Sequence, residues 1–199
     1  VTYIKKQAVI PRIANADKVT VIVHPFIYKG PSTIMRVKNI HGATIISYDL
    51  ATRVGDETAN GFVYQLEQAG FVAQHYNANV DYAKIDRPLV RIRGEVKDVK
   101  IDDQIHMVFR VSGSTTVESN IQDKNQQPLY KGTGQGFNSQ MAPIAFIFGV
   151  WLDPTLTGKV GNTASQTLTN AVNDICRKPE MHTMLQELVT ASVGPKPTP

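Results

Sequence analysis

Five histidines, His24, His41, His75, His106 and His182, are the first side chains to test for acid–base or metal chemistry. A metal site needs three or four ligands at close, recurring spacings, and a general base needs a partner within hydrogen-bond reach. None of the five stands at a metal-binding spacing from another His, Cys or acidic residue. His106, beside Met107 in a strand-like run, is expected to face outward. Asp102-Asp103 looks like a paired carboxylate, but it falls where the chain is expected to reverse, and aspartate in a hairpin turn serves its own backbone. Gly132-Thr133-Gly134-Gln135-Gly136 looks like a phosphate loop only on the surface. Such a loop must lead into a helix whose N-terminus faces the anion, and here Phe137 and a proline-containing apolar run follow. Alternating glycines in a strand instead permit bulges or close packing. Ser112, Ser114 and Ser139 lack a nucleophile-elbow context. Cys176 precedes Arg177 and Lys178, which would lower its pKa, yet a lone helical thiol reads first as structural. As the chain's one cysteine it excludes an intrachain disulfide. No cofactor and no metal is implied, and the chain is read as non-enzymatic. An enzyme would require a pocket gathering distant residues such as His75, Asp86 and His106.

The elements that would position these residues centre on Arg87 to Phe137. In Leu89 to Asp98, Val90, Ile92, Gly94 and Val96 mostly alternate with charged residues, the pattern of a half-buried strand. Asp102-Asp103-Gln104 is expected to turn the chain into a second strand, Ile105 to Val117. Asp123 to Gln127 is expected to turn it into a third, Leu129 to Phe137. Short polar turns make neighbours antiparallel, and a sheet with one apolar face requires a helix on that face. Upstream, Lys18 to Phe26 is a nearly continuous apolar strand. Ile34, Val37, Ile40, Ile45 and Ile46 allow a short hairpin around His41-Gly42. A helix is expected from Asp49, as N-cap, to Ala69, with Gly70 just beyond its end, followed by a strand over Phe71 to Tyr76. Downstream, Thr163 and Gln166 form a capping-box pattern for a helix to Cys176. Pro179 opens another helix, and a proline-rich tail follows.

The fold class expected is therefore α+β: an antiparallel or mixed sheet of about five strands, one long helix between strands 1 and 2, and C-terminal helices packed on one face. The division expected is an N-terminal arm at 1–17, a single domain at 18–191 with an apolar insertion loop at 138–162, and a tail at 192–199.

Charge and hydropathy narrow the function classes. The net charge of +4 is mild and unclustered, so nucleic acid is not the expected partner. Arg91 and Arg93 share one strand face, which is either a solvated outer face or a contact for an anionic surface. No run of about 18 apolar residues is present, so nothing crosses a membrane as a helix. The segment Met141 to Leu152 holds the one tryptophan and is broken by Pro143 and Gly149. It is either a buried completion of the core or an exposed apolar hairpin that meets a partner subunit or a bilayer interface. On the second reading the contact residues are Ile144, Phe146, Ile147, Phe148, Trp151 and Leu152.

Four stretches resemble the YajG-like bacterial outer-membrane lipoproteins and, more loosely, the periplasmic domains of the CsgG, LpoB and TolB amino-terminal type. They are Val19 to Val23, the helix ending Leu66-Glu67-Gln68-Ala69-Gly70-Phe71, Leu89 to Val96, and Thr163 to Ile175. The resemblance is one of order and spacing along most of the chain. It implies a non-catalytic periplasmic protein tethered to the outer membrane by a lipidated cysteine that would precede Val1. The chain starts without methionine, as a processed product would. The partners implied are copies of itself or other subunits of an envelope machine for secretion or motility. The alternative function is a binding module for a small ligand or an anionic polymer, peptidoglycan or nucleic acid, through Arg91 and Arg93.

Overall fold

Strand β1 (Thr20–Val23) is buried along its whole length, as its apolar run requires. In the computed structural model, which describes residues 1–38, 44–50, 53–105, 109–142 and 154–193, β1 lies between two parallel neighbours. On one side is β5 (Val72–His75) and on the other β6 (Leu89–Ile105). The short β2 (Ile27–Tyr28) also pairs with β6 in parallel. Strands β3 (Thr33–Lys38) and β4 (Thr44–Asp49) form a separate antiparallel hairpin, as the isoleucine pattern allowed; His41 and Gly42 lie outside the described residues. The fold is mixed α+β, with a six-stranded sheet ordered β5-β1-β6-β7-β8 and β2 beside β6.

Helix α1 (Val54–Ala69) links the β3–β4 hairpin to β5. Its start departs from expectation. Asp49 is the last residue of β4 and accepts a hydrogen bond from Thr33 Oγ1 at 2.7 Å, while Arg53 occupies the N-cap without a side-chain cap. Cross-strand pairing took the aspartate that capping would have used. Its end is as expected. Gly70 sits at φ 100° with its N–H on the Glu67 and Leu66 carbonyls.

The meander is longer than its sequence pattern indicated. β6 spans 17 residues, β7 (Phe109–Gln122) 14 and β8 (Pro128–Ala142) 15, so the ribbon reaches roughly 50 Å at about 3.3 Å per residue. Asp102 and Asp103 do not turn the chain. They continue β6 opposite Ser112 and Val111. The β-branched and apolar residues Val99 and Ile101, which keep the alternation going past Asp98, override the local turn preference of the aspartates. The second turn is where expected, with Asp123 Oδ1 accepting from the Gln127 N–H at 2.8 Å and Gln126 at φ 65°.

Helix α2 (Pro154–Arg177) starts well before Thr163. The capping-box residues lie inside it, and Ser165 Oγ already donates to the Gly161 carbonyl, one turn back. Ser and Thr satisfy themselves within a helix this way, so the pattern does not require a terminus. The segment expected as an insertion loop therefore divides. Residues 138–142 extend β8, 154–162 open α2, and 143–153 lie outside the described residues. Helix α3 (Pro179–Val193) follows, buried through Met181, Met184, Leu185 and Val189.

One core joins the helices to the sheet, from Val21, Val23, Phe62 and Leu66 to Val117, Ile121, Leu168 and Ile175. The glycines of β8 set the helix–sheet distance. A Cβ at Gly134 would stand 2.1 Å from the Ala171 carbonyl oxygen, and one at Gly136 1.9 Å from that of Thr167. Gly134 and Gly136 are thus a packing surface for α2. The N-terminal residues form an extended arm rather than a strand. Their N–H groups at Thr2, Tyr3, Ile4 and Val9 are accepted by Ser165, Glu57, Thr169 and Gln65, side chains of both α1 and α2. Below the arm, Gln65 Nε2 donates to Tyr3 Oη (2.9 Å) and Asn173 Oδ1 (3.1 Å), and Tyr3 Oη donates to Asn173 Oδ1 (2.9 Å). Burial in this knot raises the Tyr3 phenol to about 12.

Candidate functional site: the open face of the sheet

All three helices cover one face of the sheet, and alternation along the ribbon sends every second side chain to the other. Among the described residues, one end of the open face is covered. There Tyr82 and Ile85, from the segment carrying the 3-10 turn Tyr82–Lys84, pack on Ile22 of β1 and Leu89 of β6. Just beyond that cover, strand register places Arg91 opposite Gln122, and Arg93 in one row with Asn120 and Lys131. His24, one residue past β1, completes the group. Its ring stacks on Tyr76 at 4.2 Å between centroids, and Tyr76 stacks in turn on Tyr82 at 5.5 Å. Burial, then the charges of Arg93 and Arg91, lower the His24 imidazole to about 4, so it is neutral at pH 7.

Charge is distributed unevenly here. Lys97 bridges Glu95 at 2.8 Å and Glu118 at 3.2 Å, and Lys29 approaches Glu95 at 3.8 Å. The hydrogen bond from Lys97 holds the Glu95 carboxyl below its ordinary range, and the same bond raises the Lys97 ammonium. Arg91, Arg93 and Lys131 have no acidic partner among the described residues. Three buried polar atoms beside them, His24 Nε2, Asn120 Oδ1 and Gln122 Oε1, make no hydrogen bond. Arg93, Glu95, Glu118, Asn120 and Lys131 line a cleft of about 280 Å³ there, with Ile27.

At the far end the open face changes character. Phe137 and Met141 are 66% and 65% exposed on β8, the edge strand. Neighbouring open-face positions are polar: Lys100, Ser112, Ser114, Gln135 and Ser139. Helix α2 and Lys178, which follows it, hold the edge of β8 from Thr133 to Phe137. Gln135 N–H donates to Asp174 Oδ2 at 3.1 Å, Asn170 Nδ2 to the Phe137 carbonyl at 2.9 Å, and Lys178 Nζ to the Thr133 carbonyl.

The structure brings Arg91 and Arg93 together, as strand alternation required. The expected apolar contacts Ile144, Phe146, Ile147, Phe148, Trp151 and Leu152 lie outside the described residues, as does His106. His75 lines a second cleft with Tyr3, Glu57, Tyr64 and Glu67, and Asp86 is not part of it. Cys176 is fully buried and its thiol is pushed up to about 12, the opposite of a reactive thiolate. Among the described residues no three or more His, Cys, Asp or Glu side chains gather as metal ligands. Asn120, Gln122 and Lys131 were not singled out by sequence, and His24 was weighed only as a metal ligand or general base. The signal that would have found them is the register of β6 on β7, which the misplaced turn at Asp102-Asp103 obscured.

No protein-family model matches the chain, and no curated protein matches it in sequence. Its fold does have solved counterparts. A Xanthomonas campestris protein of the family DUF330 superposes with a TM-score of 0.50 at 10% identity, over 96% of this chain and 95% of that one. The likeness is one of fold. More distant are a homolog of a neuraminyllactose-binding hemagglutinin from Helicobacter pylori (TM-score 0.49, 11% identity, 95% of this chain and 96% of that one) and a minor lipoprotein from Acinetobacter baumannii (TM-score 0.41, 12% identity, 87% and 96%).

Proposed function

We propose that this protein is a non-enzymatic component of the bacterial cell envelope, of the YajG-like lipoprotein kind, that works through protein–protein contacts at the far end of its β-ribbon. The observation that carries the reading is the exposed pair Phe137 and Met141. They are large, well-exposed apolar side chains on an edge strand among polar neighbours, and they lead directly into the apolar run 143–152. Exposed edge strands and contiguous apolar patches are the places where chains associate. The order of elements along the chain supports the envelope assignment. No described helix is long and apolar enough to cross a membrane. The lipidated cysteine that the resemblance implies would supply the outer-membrane anchor.

The partners on this reading are further copies of the chain or other subunits of a secretion or motility machine. Light scattering during size exclusion tests the self-associating form. The wild type elutes as a multimer, and Phe137→Asp with Met141→Asp shifts it to the monomer without lowering its melting temperature. A wild type that is monomeric at all accessible concentrations removes self-assembly.

A further inference from the structure

The open face near Arg91 has a second use, independent of the contacts at the ribbon's far end. We infer that Arg91, Arg93 and Lys131, with Asn120 and Gln122, form a binding site for a small acidic sugar: a compact carboxylate or phosphate carried on a hydroxylated ring.

Each part of that ligand answers a feature of the site. Arg91 and Arg93 are two residues apart on one strand face, so their stems lie roughly 7 Å apart. Neither guanidinium makes an ion pair or hydrogen bond among the described residues. Planar guanidinium forks match the oxygens of a carboxylate or phosphate. The nearest competing acids are already engaged, since Lys97 holds both Glu95 and Glu118. Lys131 stands in the same row as Arg93, two strands away.

The orphan atoms specify the rest. Asn120 Oδ1 and Gln122 Oε1 are buried acceptors without donors, directly opposite Arg93 and Arg91. With the amides oriented as they stand, a carboxylate alone offers only acceptors and leaves both unsatisfied. A sugar offers hydroxyl donors next to its acid group, and those hydroxyls also accept if either amide is turned round. The charge must be compact because the positive patch is short. Farther along the face Asp98, on Lys100, and Asp102 interrupt it. A phosphodiester chain would run across those carboxylates, and nucleic-acid surfaces present a longer basic stripe. The stack of His24, Tyr76 and Tyr82 stands at the end of β1, beside the stretch of β6 from which the arginines project.

Calorimetric titration at low ionic strength, with galacturonate, glucose 6-phosphate, inorganic phosphate, glucose and a short single-stranded DNA, tests this. One or both acidic sugars bind, and their ratio tells whether carboxylate or phosphate is preferred. Inorganic phosphate binds about tenfold more weakly and glucose does not bind. Arg91→Gln with Arg93→Gln removes binding while leaving the melting temperature in place. Asn120→Leu with Gln122→Leu lowers acidic-sugar affinity to the level of inorganic phosphate and leaves phosphate affinity unchanged. In the complex the His24 ring protons titrate at higher pH than in the free protein, because the bound anion offsets the arginine charges. The inference is overturned if no acidic sugar binds the folded wild type, if the double arginine variant binds as tightly as wild type, or if DNA binds more tightly than either sugar. It is also overturned if the Asn120/Gln122 variant binds sugar and phosphate as before. None of these results bears on Phe137 or Met141, so the envelope-contact reading stands or falls separately.

Discussion

Replacing Gly136 by alanine tests whether α2 lies directly on β8. The added Cβ would stand 1.9 Å from the Thr167 carbonyl oxygen and 2.5 Å from the Ala171 nitrogen. Both are backbone atoms of one helix, so no side chain can swing aside. Ordinary contact begins near 3.4 Å, so the helix must retreat by about 1.5 Å. That movement thins the contacts of Leu168, Ala171 and Ile175 with the sheet. Overpacking of this kind costs about 1–3 kcal/mol, and a backbone-limited case belongs at the top of that range. For a chain of this size each kcal/mol moves the melting temperature by about 2–4 °C. Gly136→Ala is therefore expected to melt about 6–12 °C below wild type. The control is a Gly-to-Ala substitution on α2 itself, where space is open. At Gly158 a Cβ meets nothing within 4 Å, so Gly158→Ala gains helix propensity of about 1 kcal/mol and melts a few degrees higher. Circular dichroism melts of the pair read both signs. Gly136→Ala melting within a degree of wild type would refute the close helix–strand packing on which the ribbon's geometry rests.

Three further outcomes follow from the site and the core. Because the folded state holds His24 near 4 while an unfolded histidine titrates near 6.5, the unfolded chain binds the extra proton between those values. Stability is fully present above about 6.5 and falls as pH drops toward 4, by about 1 kcal/mol after solvent screening; denaturant melts of wild type and His24→Gln across that window check it, the variant showing the flatter profile. Gln65→Leu leaves the Val9 N–H without its acceptor and breaks the knot with Tyr3 and Asn173, a loss of about 2–3 kcal/mol; trypsin then cuts at Lys5 and Lys6 under conditions where the wild-type arm is protected. The Cys176 thiol, fully buried and raised to about 12, reacts with an aromatic disulfide reagent only after denaturation; fast labelling of the native protein would contradict the core assignment.

The parts of this fold that local pattern controls were legible in the sequence. The apolar run of β1, the 3.6-residue period of α1 closed by Gly70, the turn at Asp123 to Gln127 and the helix opened by Pro179 all stand where residue chemistry put them. That the glycine run is no phosphate loop was also legible, because the required helix does not follow; of the two alternatives left, bulge or close packing, Gly134 and Gly136 show close packing on α2. What local pattern could not supply was the outcome of competition. Asp49 was a sound N-cap by type, but pairing with Thr33 claimed it. Asp102 and Asp103 were sound turn residues, but Val99 and Ile101 carried β6 through them. Thr163 and Gln166 matched a capping box inside a helix that had already begun. The second of these errors hid the candidate site. With the second strand begun four residues early, Arg91 and Arg93 face the wrong partners, and Asn120 and Gln122 cannot be seen to meet them.

The most direct test of the envelope-contact reading is photo-crosslinking in the living cell, with a benzophenone amino acid placed at Phe137, at Met141 and, as control on the same strand face, at Thr133. Protein adducts of discrete mass are expected from positions 137 and 141, in the membrane-associated fraction, and none from 133. Adducts absent from both apolar positions in protein that is folded and abundant, or a protein recovered entirely from the cytosol, would contradict that reading.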